Sequence, residues 1–150
     1  MYSKELSYKD YDGKQRVETF WFHLNEVELI EIEFEVDPNG MLAYLARIQK
    51  AEDKAAAIRF IKMLIHKSFG IKSLDGKQFM KSDKIWSEFE YTAAYPALFM
   101  TLMSSEVEME AFVNGIVPAE ARDRMTFKKA EENNPAEVAP PVSAISMNQT

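Results

Sequence analysis

The pair Asp12-Gly13, set between two alternating segments, constrains this chain more than any other feature. Glycine tolerates the positive φ of a tight hairpin turn, so LSYKDYDGKQRVETFWFHL reads as two antiparallel strands, Lys4 to Lys9 and Arg16 to Leu24. In the second strand Phe20, Phe22 and Leu24 share one face, and Val17, Thr19, Trp21 and His23 share the other. Both faces are partly apolar. Either helices cover one face and leave the hairpin edge exposed, or an edge or face receives a partner.

The period changes at Asn25. This residue suits an N-cap, and Glu28 three positions on completes a capping-box pattern for a short helix over NEVELIEIEFE. The helix ends at Val36-Asp37-Pro38-Asn39-Gly40, a plain turn that lacks the further ligand positions and the closing Glu of a calcium loop. Glu26, Glu28, Glu31, Glu33 and Glu35 interleave with Val27, Leu29, Ile30, Ile32 and Phe34, which reads as a solvated face rather than a carboxylate site. Two helices follow, Met41 to Ala51 with Leu42, Leu45 and Ile48 as a core stripe, and Asp53 to Phe69 with Ile58, Ile61, Leu64 and Ile65. Gly70 stands where a helix C-cap belongs. Lys67 to Lys84 reads as a polar connector or small hairpin turning at Asp75-Gly76.

Three more helical segments span Ser82 to Thr92 with Ile85, Trp86 and Phe89, then Ala94 to Met103, then Glu106 to Asn114 after a Ser105-to-Glu108 capping box. The middle one is apolar nearly all round. A lone surface helix cannot turn Leu98, Phe99, Met100, Leu102 and Met103 toward one core, so this helix is central to the domain or partly presented to a partner. Met100, Met103 and Met109 lie close together, and a flexible thioether suits varied apolar partners. In EAFVNGIVP, Phe112 and Val113 continue the face of Met109, Asn114-Gly115 supplies a left-handed stop, and Ile116-Val117 folds back on the last turn. That ending either seals the core or borders a groove for an amphipathic client helix. The candidate partner-binding residues are therefore Leu98, Phe99, Met100, Met103, Met109, Phe112, Val113 and Ile116.

The expected fold is α+β: an N-terminal β-hairpin packed on a mainly α-helical domain of five or six helices, over residues 1–125. Residues 126–150, with three prolines and scattered charge, read as a disordered polar tail. With 47% hydrophobic and 12% aromatic residues, the folded part has ample material for one core without disulfides or metals. A net charge of −6 with dispersed Lys and Arg argues against nucleic acid as a partner. The longest uncharged run, Thr92 to Ser105, is broken by Pro96 and too short for a membrane span, and the charged start lacks the pattern of an export leader. A cytoplasmic protein is expected.

Catalytic chemistry is hard to place. His23 lies in a strand and His66 on a core helix, at spacings unlike those of metal ligands, and no glycine loop or nucleophile elbow is present. No cofactor is expected. An enzyme would need a polar pocket joining His23 or His66 to carboxylates.

Three stretches in a fixed order carry a resemblance: YKDYDGKQRVETFWFHLNEVELIEIE, FIKMLIHKSFGIKSLDGKQFMKS and YPALFMTLMSSEVEMEAFVNGIVPAE. Together, over residues 5 to 120 or so, they resemble the tail assembly chaperones of long-tailed, siphophage-type bacteriophages. The resemblance implies a non-enzymatic factor in the host cell cytoplasm. Such a factor binds the tape measure protein, a long helix-rich chain, keeps it soluble while the tail tube polymerises around it, and is absent from the mature virion. It also implies a frameshifted longer product that engages the tail tube protein, and Lys128-Lys129 is a candidate slip position. Self-association is a further expectation, and a small structural or adaptor protein of the tail is the alternative reading.

Overall fold

The structure, a computed structural model, describes residues 1–122. The expected tail over 126–150 lies outside the described residues. One compact unit spans Met1–Pro118, and a second begins at Ala119. The first contains β1 (Tyr2–Lys9), β2 (Gln15–Phe22), α1 (Glu26–Val36), α2 (Met41–Ala51), α3 (Lys54–Ser68), β3 (Phe69–Lys72), β4 (Phe79–Met80), α4 (Asp83–Glu90), α5 (Ala94–Ser104) and α6 (Glu106–Ile116). The expected α+β class is found, with an N-terminal hairpin and six helices within Met1–Pro118.

The hairpin forms where Asp12-Gly13 places it, with Gly13 at φ 82°. The Asp10 carboxylate fastens the turn by accepting from the backbone N–H groups of Asp12 and Lys14, each at 2.9 Å, and from Arg16 Nε at 2.6 Å. From there the ladder runs antiparallel from Lys9↔Gln15 to Tyr2↔Phe22. Leu6, Tyr8 and Phe22 on one face are buried, while Val17 on the other is exposed. The second strand stops at Phe22, two residues short of the expected Leu24, because the next backbone donors go to helix ends. His23 N–H donates to the Ser68 carbonyl at 2.7 Å, and Leu24 N–H to the Ile116 carbonyl at 2.8 Å. Helix C-termini leave their last carbonyls without intrahelical donors, and the strand supplies two.

The connector after α3 is a small hairpin that joins the sheet. The strand order is β1-β2-β3-β4, with β2 paired to β3 at Trp21↔Gly70 and Phe22↔Phe69. Gly70 therefore does not cap α3. It is a strand residue, required because a Cβ there would sit 2.6 Å from the Phe79 ring and 2.8 Å from the Met80 carbonyl oxygen. The turn at Asp75-Gly76 forms as expected, with Gly76 at φ 75° and the Asp75 carboxylate accepting from Lys77 N–H at 3.0 Å.

An aromatic cluster joins this sheet to the helices. Phe22 meets Phe112 of α6 at 5.4 Å, Phe69 at 5.7 Å and Phe89 of α4 at 6.1 Å, and Phe69 stacks on Phe89 at 4.4 Å. Tyr95 of α5 approaches Trp86 and Phe89 edge-on. These edge and offset arrangements suit the ring quadrupoles while filling the core.

Three local expectations are corrected. Ile58 is 39% exposed, because α3 turns Ala56 and Phe60 inward instead and Phe60 packs on Tyr44 of α2 at 5.0 Å. Ser105 accepts from Glu108 N–H at 3.2 Å, but the box is not completed: the Glu108 carboxylate pairs with Lys4 of β1 at 2.8 Å. Asn114-Gly115 supplies no left-handed stop. The helix continues through it to Ile116 and ends at extended Val117, before Pro118, and Gly115 serves a close approach to Tyr2.

Candidate functional site

Helix α5 owes its position to a sequence with no charged residue from Ala94 to Ser104. Pro96 falls in the first turn, where its missing N–H removes no intrahelical bond. Ala94, Leu98 and Leu102, spaced at four, form the buried side. Pro96, Phe99, Met100, Met103 and Ser104 lie on the other side. Ser104 there is turned to its own helix, its Oγ donating to the Met100 carbonyl at 2.7 Å, and Thr101 Oγ1, nearer the buried side, likewise donates to the Ala97 carbonyl at 2.9 Å. What faces outward is consequently apolar, with Met100 60% exposed and Phe99 and Met103 half-buried.

The other five candidate residues belong to the interior. Leu98, Met109, Phe112, Val113 and Ile116 are each at most 4% exposed, and Phe112 meets Tyr2 edge-on at 5.4 Å. EAFVNGIVP thus packs against the sheet. Of the eight residues, Phe99, Met100 and Met103 are brought together at the surface.

One surface feature escaped the sequence reading. The glutamate-rich helix α1 buries Leu29 and Ile32 but leaves Val27, Ile30 and Phe34 exposed at 65%, 47% and 87%. Their spacing of three and four was visible; which of the helix's two apolar sides would be covered was not.

Several titratable groups join elements of the fold. Asn25 caps α1 as expected, its Oδ1 accepting from Glu28 N–H at 2.8 Å while Glu28 Oε1 accepts from Asn25 N–H at 3.0 Å. Lys81 Nζ donates to both Glu28 carboxylate oxygens and to the Lys67 carbonyl, each at 2.8 Å, and lies 2.7 Å from the His23 carbonyl. Burial holds the Lys81 ammonium below its usual range despite the Glu28 carboxylate. His23 Nδ1 is buried without a hydrogen-bond partner, and His66 stacks on Trp86 at 4.4 Å. A groove of about 310 Å³ between β2 and α4 holds the carboxylates Glu18 and Glu88 but neither histidine. Among the described residues no group of three His, Cys, Asp or Glu is placed to hold a metal ion, and no helix is long and apolar enough to cross a membrane.

No curated protein and no solved structure matches this chain. A family model described as phage tail assembly chaperone matches residues 1–149, and the match covers both the sheet and the helices described above. The chain belongs to the phage tail assembly chaperones.

Proposed function

We propose that this chaperone binds the tape measure protein through the outer face of α5, keeps it soluble and assists tail tube polymerisation around it, without enzymatic chemistry. One observation carries the proposal: Phe99, Met100 and Met103 form an apolar surface on a helix with no charge of its own. Fully burying an exposed side chain of that size contributes about 1.5–3 kcal/mol, the half-buried Phe99 and Met103 adding less than that each, and thioethers adapt to irregular partners such as successive turns of a long helix-rich client. The protein acts in the host cell cytoplasm and leaves before the virion is complete. A longer frameshifted product extends its reach to the tail tube protein.

Co-expression with the tape measure protein tests this reading. The wild-type chain is expected to raise the soluble fraction of the client, and Met100→Asp, at an exposed position, to abolish that rescue while its own melting temperature stays within about 2 °C. A folded Met100→Asp chain that rescues fully would remove α5 from the proposal. Persistence of the chain in purified virions would instead favour a structural tail protein.

A further inference from the structure

The bare side of α1 has the pattern of half a coiled coil. Val27, Ile30 and Phe34 stand at heptad positions a, d and a; Glu26 and Glu33 occupy the two g positions beside them, and Glu31 the e position. Glu28 is committed elsewhere, to Asn25 and Lys81. Glu26, Glu31 and Glu33 form no ion pair with another described residue. Exposed apolar residues scattered singly are ordinary on a protein surface, but here three follow one another on one side of about 10 Å of helix.

The flanking charges choose the occupant. In a helix pair the e and g residues of one strand face those of the other, so opposite charges attract and like charges repel. A second copy of α1 would set glutamates against glutamates, since this helix contains no Lys or Arg. We infer that the Val27-Ile30-Phe34 stripe of α1 docks an amphipathic helix of a partner protein whose apolar seam is bordered by Lys or Arg. The stripe lies on a different helix from the α5 face, so the inference stands or falls apart from the tape measure proposal.

Two synthetic four-heptad peptides test it, identical at a and d with Ile and Leu and carrying either Lys or Glu at every e and g position. Titrated into the full ¹⁵N-labelled chain, the Lys peptide is expected to shift the amides of α1 and to bind more weakly as salt rises, and the Glu peptide to leave the spectrum unchanged. Phe34→Ser, at a position 87% exposed, should keep the fold and weaken Lys-peptide binding about tenfold or more. The triple variant E26K/E31K/E33K should exchange the preference and select the Glu peptide. The inference is overturned if the Lys peptide binds Phe34→Ser as tightly as wild type, if its shifts map away from α1, or if the triple variant keeps the original preference. Sedimentation showing a wild-type dimer that Phe34→Ser dissolves would also overturn it, by making a second copy the occupant.

Discussion

A Cβ added at Gly115 would lie 2.5 Å from Cδ2 of Tyr2 and 2.9 Å from its Cβ, so β1 and α6 touch through the absence of a side chain. Alanine is the better helix former by about 1 kcal/mol, which alone would make Gly115→Ala stabilising. The overlap reverses the sign, because the Tyr2 Cβ cannot yield without moving the strand. We expect Gly115→Ala to destabilise by about 1–3 kcal/mol in denaturant titration. His23 gives a second prediction at this scale. Burial, then the N-terminal ammonium and Lys81, hold its imidazole below the ordinary value of 6.5, against a smaller opposite pull from Glu28. The unfolded chain therefore takes up this proton first as pH falls. Stability from neutral His23 is complete above pH 6.5 and is lost on acidification toward the folded-state value. The melting temperature should drop between pH 7.5 and 5, and His23→Phe should reduce that drop; an identical drop in the variant would show that His23 is not its source.

Among the elements, the small hairpin β3–β4 owes its place to Lys81, which follows it directly. Its ammonium gathers the end of β2 through the His23 carbonyl, the end of α3 through the Lys67 carbonyl, and the first turn of α1 through Glu28. Lys81→Met keeps the apolar stem but leaves half-buried acceptors without this donor. We expect a loss of about 1–3 kcal/mol, with amide exchange in α1 accelerated more than in α5. Uniform acceleration across both helices would argue against Lys81 as a local clasp. The two glutamates three residues after an N-cap show how far local patterns reach. Glu28 returns to Asn25 and closes its box, whereas Glu108 is drawn 104 positions along the chain to Lys4. Both patterns look alike in sequence and both carboxylates meet a distant lysine, Lys81 for Glu28 and Lys4 for Glu108, but Glu28 also accepts from its N-cap N–H.

For the molecule as a whole, Phe22 is the junction. Fully buried, it meets Tyr2 of β1, Phe69 of β3, Phe89 of α4 and Phe112 of α6. Phe22→Ala should cost about 3–5 kcal/mol, a large part of the ~5–15 kcal/mol that holds a domain of this size. Far-ultraviolet and near-ultraviolet circular dichroism should then report one shared transition at lower denaturant; loss of the hairpin signal alone would show the sheet and helices to be separate units. The sequence by itself determined the turns at Asp12-Gly13 and Asp75-Gly76, the N-caps at Asn25 and Ser105, and the helices they open, because each depends on residues a few positions apart. It also placed Met100 on a helix without charge. Only the tertiary structure decided that Gly70 and Gly115 serve close approach rather than capping, that Met109, Phe112, Val113 and Ile116 are buried, and that Val27, Ile30 and Phe34 face outward. A side chain's type and period fix which helix face it shares, but what covers that face is a neighbour tens of residues away, and that choice is made when the sheet and helices close on Phe22.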